Sequence, residues 1–332
     1  MEKRNARRAA PAEQDKAPAH RRRANRPPEG QGVTFDFCTE KEAAEYLLGG
    51  NNYLCTASYR ALYFKQIEGL NVGKYVNLDF AYLVDLSSID RQLREALLLA
   101  AIDVEHFAKV GILARAAAAG EDGYGIVNDY LDSLAHDARR RIFGGFRARG
   151  GQGNGHDTYS GDLIAHYLDK YPIWVFFEIC ELGTFVDFYR FCAERWRDEG
   201  MMEDHYVLKS VKALRNAAAH NSCIVNGFVS SAKRAGFPSS RPLTDALNAA
   251  GMKNSRNRRA KLRNVRIAQI AAVLYSLNAF CGRESAMRRH AARFSEVERR
   301  FYEHADYYRQ NNSIMSFFGF VWRLVDIWLP VG

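Results

Sequence analysis

Between Asp79 and Ala118 the apolar positions return every three or four residues: Leu83, Leu86, Ile89, Leu93, Leu97, Ala100, Val104, Phe107, Val110 and Leu113. At about 3.6 residues per turn, that spacing lines one face of a long helix. It predicts the backbone of a helical bundle, closed by Gly120 and Gly123. Upstream, Thr39-Glu40-Lys41-Glu42 has the form of a capping box, and the helix it opens runs to about Leu48 before Gly49-Gly50. Aromatic and aliphatic residues from Asn52 to Lys65 predict a second helix. Further helices are expected over Tyr159–Lys170, Pro172–Leu182, Gly183–Arg197 and Met202–His220. After a gap they resume over Arg266–Cys281, Glu284–Gln310 and Ser313–Leu329. No convincing strand alternation and no internal repeat interrupt the pattern, so the fold class is all-α.

Two gaps and a tail complete the plan. Residues 139–156 read as a loop, with five arginines among many glycines. Residues 229–265 read as a basic linker, because Lys253 to Arg266 carries seven Lys/Arg and no acid. Residues 1–32 have nine basic against four acidic side chains and almost no large apolar residue, which predicts a disordered basic tail. The expected organisation is a tail (1–32), a bundle (33–228), a linker (229–265) and C-terminal helices (266–332). Those last helices, rich in Phe and Trp, must pack on the bundle or on a dimer partner.

Composition narrows the function classes. An apolar content of 47% is enough to bury a real core, and the formal net charge of +9 is carried mostly by arginine. Arginine fits phosphate in a planar, bidentate way, so this charge favours nucleic acid as a partner. Cys38, Cys55, Cys180, Cys192, Cys223 and Cys281 form no C-x-x-C pair, so no zinc site or other metal site is expected. Their scatter suits a reducing cytoplasm. The charged N-terminus predicts no secretory signal. The apolar runs near Ile173–Phe177 and Ile267–Leu277 are too short or interrupted to span a membrane.

The chemistry concentrates in Leu214-Arg215-Asn216-Ala217-Ala218-Ala219-His220-Asn221. Five residues of helix separate Arg215 from His220, about 500° of rotation, so the two point in related directions without stacking. The alanines leave the surface between them open. A cation that holds phosphate beside a titratable imidazole is what RNA cleavage needs. The spacing recurs at Arg299 and His304, but there the Asn is missing and bulky residues intervene, so surface helix charges are the simpler reading.

Several segments together resemble the bacterial abortive-infection (Abi-like) family, within the HEPN superfamily of helical bundles. Asn52-Tyr53-Leu54 through Tyr59-Arg60-Ala61-Leu62-Tyr63 resembles its early aromatic segment. Asp85 to Arg94, followed by Ala101-Ile102-Asp103-Val104-Glu105, resembles its Leu-Tyr-x-Phe-Asp-x-x-Leu-Arg helix and the continuation of that helix. Trp174 matches a mid-chain Trp, and Leu214–Asn221 resembles Leu-Arg-Asn-x-x-Ala-His-His. The order and rough distances agree over about 45 to 228. Asn221 stands where the family often has a second His, and Lys109 where an Arg is common.

The resemblance implies a metal-independent endoribonuclease of phage defence or toxin–antitoxin type, with no cofactor. His220 would be the acid or base, Arg215 would hold phosphate, and Asn216 would orient the His or the backbone. Histidine suits this work because its ordinary pKa lies near 6.5. Glu105 and Asn221 are the expected supporting residues, with Glu105 pairing to Arg215. One motif supplies one imidazole, so a homodimer with a composite site is expected, held in check by a regulatory RNA or an antitoxin partner. Arg147 and Arg149, in Gly144–Gly151, and Lys253, Arg256, Arg258, Arg259, Lys261 and Arg263 are the expected RNA contacts. Two other readings stand beside this one: a non-catalytic RNA-binding protein, and a protein-interaction module using the aromatic C-terminal helix.

Overall fold

The structure, a computed structural model, describes residues 31–50, 53–151, 155–229 and 240–329. The basic tail therefore falls almost wholly outside the described residues. Among them the chain forms fifteen α-helices and a two-residue parallel pair of strands, β1 (Val33–Thr34) and β2 (Leu78–Asp79).

The N-terminal layer is α1 (Glu40–Glu45) and α2 (Tyr53–Ser58), the latter extended by a 3-10 turn over Tyr59–Leu62. The capping box is formed: Glu42 N–H donates to Thr39 Oγ1 at 3.2 Å, and Thr39 N–H donates to Glu42 Oε2 at 2.8 Å. The second helix is shorter than its aromatic content predicts. The chain turns extended after Leu62, and Lys65 bridges to Tyr75.

The central element is α3 (Phe80–Ala118), capped by Asp79. Leu86, Ile89, Leu93, Leu97, Ala100 and Val104 are completely buried, as the periodicity requires. Each fully buried large aliphatic contributes roughly 1.5–3 kcal/mol relative to exposure.

The middle of the chain supplies α4 (Gly125–Ser133), α5 (His136–Gly150), α6 (Gly161–Tyr167), α7 (Ile173–Ile179), α8 (Leu182–Arg195) and α9 (Glu199–Ala219). The loop expected at 139–156 is in large part the helix α5. Its glycines are outweighed by Phe146, which is buried edge-on against Tyr171 and Phe176. The helix α9 packs between α3 and α8.

The basic linker is also corrected. After residues 230–239, which lie outside the description, it contains α10 (Arg241–Ala249) and α11 (Arg256–Leu262). Ser255 caps α11 by accepting the Arg258 N–H. The chain ends in α12 (Val265–Phe280), α13 (Glu284–Glu303), α14 (Ala305–Tyr308) and α15 (Asn312–Trp328). These helices pack on the bundle within the same chain: α12 lies on α3 and α9, α13 on α3, and α15 on α12. Phe318, Phe320, Trp322 and Trp328 are buried. The aromatic helix is therefore core, which removes it as a free contact face. No described helix is long and apolar enough to cross a membrane.

Candidate functional site

The site is built on the C-terminal end of α9. Asp198 caps the start of that helix, accepting the Met201 N–H at 2.9 Å, and Arg115 of α3 pairs with the same carboxylate at 2.6 Å. At the other end the helix stops sharply. His220 N–H still donates to Asn216 O, while Asn221 adopts a left-handed conformation with φ of 54°. The Asn221 N–H returns to Ala218 O, and the Ser222 N–H returns to Ala217 O at 2.9 Å. This is a Schellman ending, and after Gly an Asn is the residue that tolerates its left-handed position. Asn221 thus shapes the stop that leaves His220 exposed at the helix end.

The chain is then pinned. Ile224 and Val225 donate their N–H groups to Asp90 Oδ1 at 3.0 and 2.9 Å. Asp90 lies in α3 and is completely buried. Its other oxygen accepts from Tyr59 Oη at 2.7 Å and from Arg94. A 3-10 turn over Val225–Phe228 follows, and Asn264 at the cap of α12 donates to Gly227 O at 3.0 Å. Arg266 lies across Gly227 so closely that an added Cβ there would sit 2.4 Å from Arg266 Cγ. Any side chain at that position would force the Arg266 side chain to shift.

Arg215 lies on the inner side of α9, half-buried, and His220 on the outer side. Five helical steps separate them by about 140° around the axis, so they diverge, which corrects the expectation that they point in related directions. Arg215 Nη1 donates to Asn216 Oδ1 at 3.3 Å, and its Nε is buried with no partner. Among the described residues its guanidinium pairs with no carboxylate. The expected pairing with Glu105 does not occur, because Glu105 binds Lys109 at 2.8 Å, one turn along its own helix. Asn216 engages Arg215 rather than the histidine.

The second Arg-x4-His pair has its own explanation. Arg299 is held by Glu296 and Glu303, and His304 Nδ1 sits 3.1 Å from Asp85 Oδ1. Asp85, nearly buried, also receives Arg300 and Tyr308. These residues tie α13 and α14 to α3 and bring no second motif to the site.

The expected RNA contacts divide. Lys253, Arg256, Arg259 and Arg263 are exposed, and Arg259 also donates to Asn254 O at 2.9 Å. Arg147 pairs with Asp169 at 2.6 Å, and Arg149 donates to Ile179 O at 2.6 Å. Arg258 and Lys261 are buried, which corrects their reading as phosphate ligands. Arg258 donates to Met252 O, Thr244 O and Asn248 Oδ1 and so ties α10 to α11. Lys261 Nζ sits 3.3 Å above the Phe317 ring, and burial pushes its pKa down to about 8.

One cavity flanks the motif helix. It measures about 490 Å3 and is lined by Tyr206, Lys209 and Ala213 of α9, Arg241 and Leu243 of α10, and Gln269 of α12. Positions 206, 209, 213, 216 and 220 follow one another at helical spacing, so the cavity lies on the same face of α9 as Asn216 and His220. Tyr206 is 60% exposed.

The family model described as Abi-like protein matches residues 47–226, from just past α1 to the turn pinned by Asp90. No curated protein and no solved structure matches the chain. With more than half of its length matched, and the matched stretch carrying both the long helix and the Arg215–His220 motif, the chain belongs to the Abi-like family.

Proposed function

We propose that this protein is an endoribonuclease of abortive infection, cleaving RNA by attack of a 2′-hydroxyl on the adjacent phosphorus. The observation that carries this reading is Arg215: a half-buried guanidinium with a buried, unpartnered Nε, in the same helical end as the exposed His220. A cation left without a carboxylate in a partly dry setting is suited to a phosphate oxygen. The 2′-oxygen forms a bond to phosphorus, and the bond from phosphorus to the 5′-oxygen breaks. One imidazole takes the 2′-hydroxyl proton and another gives a proton to the leaving oxygen. His220 supplies one of these groups, and a second copy of the chain supplies the other across a two-fold axis. Arg215 and His220 diverge around α9, so one copy does not bring both to the same phosphate, and a second copy would supply the missing group. The exposed Lys253, Arg256, Arg259 and Arg263 add phosphate contacts without sequence readout.

The test is incubation of wild type and His220→Ala with mixed cellular RNA in EDTA, followed by mapping of the ends. The expected result is 2′,3′-cyclic phosphate ends from wild type alone. Equal cleavage by both proteins overturns the role of His220. The same divergence of the two side chains also favours a second reading, an RNA-binding protein that grips phosphate and does not cut. Intact RNA that co-purifies with the wild-type protein would select it.

A further inference from the structure

Cys55 of α2 and Cys223, the third residue past His220, bring their sulfurs to 2.6 Å across 168 positions of sequence. That separation lies between the ~2.05 Å of a disulfide bond and ordinary non-bonded contact. We propose that Cys55 and Cys223 form a redox modification site, closing into a disulfide when a hydroperoxide reaches the protein.

The surroundings hold the pair in place from both sides. Cys223 is followed directly by Ile224, whose N–H is fixed by buried Asp90. Cys55 is four residues before Tyr59, whose hydroxyl donates to the same carboxylate. Both partners of the sulfur pair are therefore anchored to one buried group. Both cysteines are partly buried rather than sealed in the core, which leaves a small oxidant a route to them. Cys180 and Cys192, by contrast, are buried singly in helices α7–α8 and their surroundings, with no thiol neighbour among their hydrogen-bond partners.

The chemistry balances with hydrogen peroxide as the oxidant. One thiol gives up its proton, its sulfur takes an oxygen as the O–O bond breaks, and the proton leaves with the other oxygen as water, giving a sulfenic acid. The second sulfur attacks it, the S–O bond breaks, and a second water leaves. Two thiols and one peroxide become one disulfide and two waters, with sulfur oxidised and peroxide reduced. Burial, and next the neighbouring Cys223 sulfur, push the Cys55 thiol up to about 12. A dithiol reductant reverses the bond by exchange.

The disulfide would staple α2 to the end of the motif helix and enclose most of the family-matched region. The proposal stands whether or not His220 cleaves RNA. The experiment treats the reduced full-length protein with hydrogen peroxide, alkylates the remaining thiols and maps the digested peptides by mass spectrometry. The expected result is a Cys55–Cys223 peptide that disappears on adding dithiothreitol. Cys38, Cys180, Cys192 and Cys281 should stay alkylated. The oxidised protein should unfold at a midpoint about 5–10 °C higher, a shift absent from Cys55→Ser and Cys223→Ser. Absence of the linked peptide from wild type, or linkage spread over the other four cysteines, overturns the proposal. The peptide map needs no variant, so a variant that fails to fold leaves the test intact.

Discussion

Asp90 accepts the backbone N–H of Val225 at 2.9 Å, five residues past His220, from a helix 135 positions earlier in the chain. The contact fixes where the motif helix ends relative to the core. Replacing Asp90 with Ala leaves two backbone N–H groups, the Tyr59 hydroxyl and Arg94 short of an acceptor in a completely buried place. The expected loss is about 3–5 kcal/mol, read as a lower urea midpoint. Tyr59→Phe removes one of these bonds and should cost about 1 kcal/mol. If both variants unfold at the wild-type midpoint, Asp90 does not carry the joint.

The cavity beside α9 gives a second expectation. Tyr206 offers an exposed ring for a base to stack on, and Lys209, whose Nζ lies 5.8 Å from that ring, offers charge for the backbone beside it. Base stacking on an aromatic side chain contributes roughly 1–3 kcal/mol. Under the proposed ribonuclease activity, Tyr206→Ala should therefore raise KM for single-stranded RNA about tenfold or more while kcat stays near wild type. His220→Ala should do the reverse and lower kcat. A Tyr206→Ala protein with unchanged KM would show that the strand takes another path.

Much of the bundle was legible in the sequence because its signals are local. The period of α3 and the box at Thr39–Glu42 need only neighbouring residues, and both are present as expected. The motif was legible for the same reason. Contacts between distant segments were not. An aspartate such as Asp90 or Asp85 on an amphipathic helix reads as surface charge until its partners arrive from the far end of the chain. The basic run failed in the opposite sense. Arg258 reads as a phosphate ligand, yet two backbone carbonyls and Asn248 meet it in the folded chain. The helix α5 was hidden by its glycines, and only the aromatic neighbours of Phe146 reveal why it forms.

Lys261 carries a pH dependence. Burial, and next Arg323, hold its pKa at about 8, below the ordinary 10.5. The folded protein thus binds this proton less readily than the unfolded chain does. The cost to stability is full below about pH 8 and fades as pH rises toward 10.5. The Phe317 ring offsets part of it. Lys261→Met should therefore stabilise the protein at pH 7 by about 1–2 kcal/mol, an advantage that shrinks by pH 10. Thermal melts of both proteins across that range check the sign. A variant less stable than wild type at pH 7 would mean that the ring contact outweighs the burial cost.

The C-terminal helices depend on Asp85. Its carboxylate gathers Arg300, His304 and Tyr308, residues more than 200 positions away. Elsewhere on these helices, Asn311 donates to Leu62 O at 3.0 Å and His290 Nε2 sits 2.8 Å from Asp103 Oδ2. These polar contacts orient α13 and α14, while the aromatic stack of Phe301, Tyr308 and Phe318 supplies the apolar burial. Asp85→Asn keeps the volume but removes the negative charge facing two basic side chains. It should destabilise the protein by roughly 1–3 kcal/mol, because Arg300, a mostly buried cation, keeps only its longer pairing with Glu303 at 3.6 Å. The loss should be local first, since the family-matched core has its own buried clamp at Asp90. Limited proteolysis followed by mass spectrometry would then show early cleavage between α12 and α15, with residues 80–219 still protected. Simultaneous loss of protection over both regions would show that the extension and the bundle unfold as one unit.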